Sequence, residues 1–438
     1  MMIYDYNGVR DYGEVCDGDG IQSIKASVSE GRCFFLSIAS VLHTELYALS
    51  LPFFNSAGLP HTPTMHWSTS VPLLCSSMLT FLTGSLALER ADKHYAVMDN
   101  DWYTVGFVPY LVALDGDVEI LGLASDTANS WQPQGALHAV ATLEAGNLSC
   151  IPVYPGATWP LINTPHRFHA WEMIHGKLPW QGAFAPENKT LEAEGNDPTS
   201  GDPNRIVKEA FKEGFPKGRP ENSTSAANFM VEMVHKYPGQ VSIYSAGALT
   251  NVALAVRMDP QFASLAKDLV IMGGYVDLNM LQATGSIMLA NHGSDINLMI
   301  DPEASKIALT ADFPNITIAG NVANQVMPTK EFLEEVRSVP NPYSELFYKY
   351  YDLSFPFWDE TAAALMVDPS ISVNQTSVYL DVDTSYGSPN YGNIHVYQKA
   401  LAPQGIREVN YVFEVDAERL ISRIKHALQY PKSCADLR

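Results

Sequence analysis

Four polar clusters in this chain each follow an apolar run, and each mixes carboxylates with amides or hydroxyls. The first is Met98-Asp99-Asn100-Asp101-Trp102. Acids at i and i+2 of an extended segment project to the same side, as a hard-cation site needs. The second is Ser125-Asp126-Thr127-Ala128-Asn129, and the third is Gly247-Ala248-Leu249-Thr250-Asn251, where Thr250 either caps a helix or offers its carbonyl to a metal. The fourth, Asp295-Ile296-Asn297, runs into Asp301-Pro302-Glu303-Ala304, and Trp358-Asp359 ahead of another apolar run is a further candidate. Each also has a plain structural role, because Asp in such places serves as a turn residue or a helix cap.

These residues need a scaffold that gathers strand ends. Apolar runs predict strands over 94–99, 118–124, 151–154, 241–246, 269–273 and 316–319. Helical patterns fall between or after them, over 106–114, 135–145, 226–235, 250–257, 262–266, 302–309, 331–337, 343–351 and 359–366. Strand–helix alternation of this kind predicts an α/β fold: a mostly parallel, Rossmann-like sheet flanked by helices. Alternating segments over 377–382, 393–397 and 408–415, then a helix over 417–428, predict a β-rich C-terminal extension. Residues 160–222 break the rhythm and read as a long, partly helical excursion over the sheet edge. In open parallel sheets ligands bind at the strands' carboxyl ends, which is where the clusters fall.

Composition narrows the partners. With 27 Lys plus Arg against 48 Asp plus Glu, the formal charge is −21. Such a chain repels phosphate backbones and anionic membranes, so neither nucleic acid nor membrane is an expected partner, whereas a neutral small molecule is compatible. None of Cys16, Cys33, Cys75, Cys150 and Cys434 sits in a CxxC pair, which argues against zinc and iron–sulfur centres.

The first ninety residues differ from the rest. Residues 1–64 form an irregular leader rich in Gly, Ser and Pro, and 65–87 has a polar start, an apolar centre and a closing Ser85-Leu86-Ala87. That pattern is expected of a secretory signal peptide, with Met65 as the working start. The mature chain would then keep only Cys150 and Cys434, whose pairing the sequence leaves open. Sequons at Asn147, Asn188, Asn222, Asn315 and Asn374 agree with an extracellular location; a start at Met1 would instead place the protein in the cytoplasm.

In this order, the clusters resemble the inosine/uridine-preferring nucleoside hydrolase family. MDNDWYTVGFVPYLVAL aligns without gaps to that family's opening DxDxGxDD-plus-helix motif, and SAGALTNVALA resembles its GPLTN segment. VIMGG is similar to its strand leading to MGG, DINLMIDPEASKIAL to its EFNIxxDPEAA segment, and FWDETAAALMVDP to its HDPxAxA segment. The resemblance implies a hydrolase-like domain over 94–430 that cleaves the N-glycosidic bond of a small ribonucleoside with calcium. It further implies that Asp101 binds calcium and activates water, with Asp359 and the Thr250 carbonyl as additional ligands. Asp99 would orient Asp101 or support the metal, and Asp295 and Asn297 would hold ribose hydroxyls. Asp126 falls where the family usually has an Asn near the sugar. Family members often self-associate, so a homo-oligomer is expected as well. The chemistry is coherent, since cleavage builds positive charge on the ribose, which flanking carboxylates stabilise.

The same resemblance marks departures. Two further motif acids, one for ribose and one for calcium, read Val105-Gly106, and the Pro-Gly before them reads Trp102-Tyr103. Losing a chelating carboxylate weakens calcium binding. Trp358 stands where classical members carry a His. Trp102, Tyr103 and Trp358 are expected to line the pocket and stack on a base, with Tyr386 and Tyr391 as further candidates. The departures also admit a hydrolase for another N-ribosyl or glycosyl compound with an altered metal site, or a non-catalytic nucleoside- or ribose-binding protein.

Overall fold

The computed structural model describes residues 93–178, 180–276 and 295–437, all within a compact unit that begins at Gly84. The expected leader and signal peptide lie outside the described residues. Six strands match the predicted runs to within two residues: β1 (Tyr95–Asn100), β2 (Glu119–Ser125), β3 (Val153–Pro155), β4 (Val241–Ser245), β5 (Asp268–Met272) and β6 (Ile316–Ala319). They pair in parallel in the order β3-β2-β1-β4-β5-β6. The C-terminal strands are β7 (Ser372–Val382), β8 (Ile394–Tyr397) and β9 (Arg407–Val415). They continue this sheet rather than forming an appendage: β9 joins β6 in parallel, and β7 and β8 close the edge antiparallel.

Helices cover both faces, as a buried parallel sheet requires. β1 alternates between the two cores: Ala96 and Met98 face one, Tyr95 and Val97 the other. The first core is built with α1 (Val108–Asp115), α2 (Gln132–Ala145), α10 (Lys330–Arg337), α11 (Pro342–Tyr350), α12 (Trp358–Val367) and α13 (Ala417–Gln429). The second is built with α5 (Ala226–Lys236), α6 (Thr250–Met258), α7 (Phe262–Leu265) and α9 (Pro302–Leu309). A short helix, α8 (Ile296–Ile300), precedes α9. The chain leaves β1 toward β2 and β3 and returns on its other side at β4. This reversal opens a crevice at the carboxyl ends of β1 and β4.

The 160–222 excursion is ordered by its own small core. It carries α3 (Pro165–His175), a 3-10 turn at Gly182–Phe184 and α4 (Lys189–Glu194). Phe168, Trp171 and Phe184 pack with Trp131 at the start of α2, and with Met299 and Ile300 of α8. Cys150 and Cys434, whose pairing the sequence leaves open, form a disulfide that ties the segment before β3 to the C-terminus.

Candidate active site

The first polar cluster lies at the crevice. Asp99, near the end of β1, sits in register with Ala124 of β2 and Ser245 of β4. Its Oδ1 accepts Asn251 Nδ2 at 2.8 Å, and its Oδ2 is buried without a partner. Asn100 bridges two elements: its Oδ1 accepts the Asp101 N–H at 2.9 Å, and its Nδ2 donates to Asp359 Oδ2 at 3.0 Å. Asp101 is 1% exposed; its Oδ2 accepts the Asn129 N–H at 2.5 Å, while Oδ1 is buried and unpartnered.

The loops after the neighbouring strands supply the rest. Both carboxylate oxygens of Asp126 are buried and unpartnered. Gly247 lets β4's exit loop pass beside Asp126, since a Cβ there would lie 2.3 Å from Asp126 Oδ1. Thr250 is not a cap; it is the first residue of α6, and its hydroxyl donates to Asp301 Oδ2 at 2.7 Å. Asp301 caps α9 through Ala304 N–H and also accepts Leu161 N–H. Asp295 caps α8. Asn297, two residues on, donates Nδ2 to Ala246 O at 3.0 Å and Met272 O at 3.2 Å, bridging the ends of β4 and β5. Its Oδ1 is buried with no partner.

The opposite wall is the first turn of α12. Asp359 follows Trp358 there, and Tyr244 of β4 donates its hydroxyl to the Asp359 carbonyl at 2.9 Å. Behind it Glu360 is buried and accepts the Tyr351 hydroxyl at 3.3 Å. Sequence reasoning passed over Glu360, whose only sequence signal is an acid in the first turn of an otherwise apolar helix.

These acids share one electrostatic condition. Burial pushes Asp99 up to about 7, against the Asn251 hydrogen bond. Burial, then the charge of Asp359, lifts Asp101 well above the usual carboxylate range, and burial with the charges of Asp99 and Asp101 does the same to Asp126. Burial likewise raises Asp359 to about 7, Glu360 to about 8, and Asp295 and Asp301 to about 6. Among the described residues no salt bridge reaches Asp99, Asp101, Asp126, Asp295 or Asp359. Unpartnered, mutually repelling carboxylate oxygens suit a hard divalent cation in donor type. They suit it less in number: among the described residues no three His, Cys, Asp or Glu side chains are grouped to hold a metal ion. A cation here would complete its shell with carbonyl oxygen and water.

The aromatic expectations divide. Trp102 does not line the crevice. Its indole donates to Ala124 O at 2.7 Å, and its ring is 1% exposed against Tyr110, because the chain turns it under β2 into the first core. Tyr391 is also covered, with its hydroxyl on Glu303, and Tyr386 donates to Arg167 O. Tyr103 is partly buried against the first core. Trp358 is partly exposed; its indole donates to Asn324 Oδ1 at 2.7 Å, and its ring lies 5.2 Å from Phe355. Trp180 of the excursion, which has no sequence signal for a role, faces Phe355 and donates its indole N–H to Asn129 Oδ1.

A family model described as inosine-uridine preferring nucleoside hydrolase matches residues 96–422. An uncharacterized protein of Schizosaccharomyces pombe is 34% identical over 327 residues, 71% of this chain and 78% of that protein. A probable uridine nucleosidase of Oryza sativa subsp. japonica is 32% identical, covering 50% of this chain and 56% of its own. Uridine nucleosidase 1 of Arabidopsis thaliana is 28% identical, covering 52% of this chain and 57% of its own. The match thus spans little more than half of each of these two nucleosidases. In fold, the chain is similar to an inosine-guanosine nucleoside hydrolase, with a TM-score of 0.59 and 19% identity over 77% of this chain and 100% of that one. A plant nucleoside hydrolase gives 0.57 and 22% over 77% of this chain and 99% of that one.

Proposed function

The chain belongs to the inosine-uridine preferring nucleoside hydrolase family, and on that premise we propose that it hydrolyses the N-glycosidic bond of ribonucleosides to ribose and free base. Asp101 is the general base. Its Oδ2 is held by Asn129 and its Oδ1 is free to take a proton from the attacking water. Asn297, its amide nitrogen committed to backbone carbonyls, offers Oδ1 to a ribose hydroxyl, and Asp295 stands beside it in the sequence for a second. Asp126 completes the sugar-side wall. A site whose buried polar atoms are satisfied only by ribose discriminates against deoxyribose. Trp358 supplies an aromatic surface for the base. The relatives named uridine nucleosidase make uridine the first substrate to try.

Calcium, if bound, would be held by Asp101, Asp359 and the Thr250 carbonyl, with Asp99 in support; it would lower the pKa of a water in the crevice. Val105 and Gly106 leave a smaller ligand set and weaker affinity than the resemblance alone suggests. The observation that carries the reading is the free oxygen on Asp101 at the carboxyl end of β1, with Asp359 across the crevice. Reducing-sugar release from uridine, inosine, adenosine, guanosine and cytidine, with calcium and with a chelator, tests it. Turnover abolished by Asp101→Asn is expected, and a wild-type protein that leaves all five intact overturns the reading. Sugar release that a chelator leaves untouched would favour the altered-metal alternative.

An extracellular location is part of the same proposal. The Cys150–Cys434 disulfide suits an oxidising compartment, and all five sequon asparagines are exposed. Among the described residues no helix is long and apolar enough to cross a membrane.

A further inference from the structure

The Asp101 carboxylate is aimed by more than its own strand. Its Oδ2 accepts the Asn129 backbone N–H at 2.5 Å, and Asn129 belongs to the loop after β2. The Asn129 side chain is in turn fixed from outside. Trp180, on the 160–222 excursion, donates its indole Nε1–H to Asn129 Oδ1 at 2.5 Å. A side-chain amide has an acceptor end and a donor end, and an indole can only donate. With Oδ1 held by Trp180, the Asn129 side chain, and with it the backbone N–H that meets Asp101, is fixed in place.

The excursion is also fastened to this loop by its backbone. Ala183 N–H donates to Ala128 O at 2.7 Å. Gly182 has φ +54°, and a Cβ there would lie 2.3 Å from Ala128 O, so this close approach needs glycine. Trp180 itself is 53% exposed, which core packing does not explain. The indole is a donor seated on the loop that holds Asp101.

We propose that Trp180 is a positioning residue which, through the Asn129 amide, sets the direction of the Asp101 carboxylate, so that the excursion as well as the sheet aims the base. The proposal rests on Asp101 being the base. It is tested with Trp180→Phe, Asn129→Ala, their double variant and Asp101→Asn in the full chain, with uridine and inosine as probes and urea midpoints as the folding control. Phenylalanine keeps an aromatic surface and removes only the donor. Trp180→Phe is expected to lower kcat by up to about ten-fold, the upper end of the worth of one neutral hydrogen bond, with KM within about two-fold of wild type. Asn129→Ala is expected to lose at least as much, and the double variant no more than Asn129→Ala, because two breaks in one relay do not add. Additive losses, a raised KM with kcat intact, or an unchanged kcat in Trp180→Phe would each overturn the relay while Asp101→Asn stays inactive. Wild-type turnover in Asp101→Asn would instead overturn the base assignment, and the relay with it.

Discussion

Replacing His138 asks whether the 160–222 excursion is anchored by a buried cation. His138 lies on α2 with no exposed surface. Its Nδ1 meets Glu213 Oε1 at 2.5 Å and its Nε2 meets Asp197 Oδ1 at 2.9 Å, and both acids belong to the excursion. Phe211, also from the excursion, stacks on the ring at 4.1 Å. Burial pulls the imidazole pKa down, but Asp197 and Glu213 together outweigh it and hold the group at about 10. An unfolded histidine titrates near 6.5. A folded pKa above the unfolded one stabilises the fold fully below about 6.5, and the contribution is lost as pH rises through about 10. At 1.36 kcal/mol per unit, that is ~5 kcal/mol at pH 5, ~3 kcal/mol at pH 7.5 and under ~1 kcal/mol at pH 10. His138→Leu removes the cation and leaves the fully covered Glu213 against an apolar neighbour. In urea unfolding followed by tryptophan fluorescence, the gap between variant and wild type should be about 3 kcal/mol wider at pH 7.5 than at pH 10, over a constant cost from the stranded Glu213. A gap of constant size across that range would refute the buried imidazolium and leave packing as the whole effect.

Three further outcomes follow from the acids and the surface. Asp126→Asn should raise the stability of the chelated protein by about 1–3 kcal/mol, because it removes a buried charge with two unpartnered oxygens; it should also shrink the rise in Tm produced by calcium, both read by scanning fluorimetry. Asp99 and Asp359, each held near 7, have folded pKa values above their unfolded ones, so stability present at low pH is lost as pH rises through 7. Chelated protein should therefore gain about 1.4 kcal/mol per group on going from pH 8 to pH 6 in urea titrations, and a flat profile would show that the carboxyls are not destabilised. Protein made through a eukaryotic secretory pathway should carry N-glycans on the exposed Asn147, Asn188, Asn222, Asn315 and Asn374, seen as a mass loss on endoglycosidase treatment that falls stepwise with Asn→Gln changes.

Strands buried on both faces announced themselves as apolar runs, so β1, β2, β4, β5 and β6 were legible to within a residue or so. The polar residues closing those runs pointed to one end of the sheet, and the structure gathers Asp99, Asp101, Asp126, Thr250, Asp295, Asn297 and Asp359 near the crevice there. What stayed hidden depends on contacts distant in sequence. Nothing in the local pattern of Trp102 distinguishes a ring turned under β2 from one facing the crevice. His138 reads as one polar residue on an apolar helix until Asp197 and Glu213 arrive from 59 and 75 residues away. Trp180 lies in a stretch without period, so its bond to Asn129, 51 residues back, has no sequence signature.

Val105 and Gly106, where the resemblance to the family expects acids, lie in one tightly packed turn. A Cβ on Gly106 would lie 3.0 Å from Tyr103 N and 3.1 and 3.3 Å from Tyr103 Cδ1 and Cε1. An acidic side chain at 106 would therefore crowd the tyrosine at 103, whose ring would have to give by a few tenths of an ångström. Val105 is 5% exposed within the first core, where a carboxylate would be buried without a partner. The turn between β1 and α1 is thus an apolar plug. Acids stand on the other walls, Asp126 after β2 and Asp359 and Glu360 on α12, and burial raises the pKa of each. Asp101 and these acids repel one another: Asp359 pushes the Asp101 carboxyl up, and Asp101 does the same to Asp126. The orientation of Asp101 then depends on the few donors that reach it, the Asn129 amide first among them.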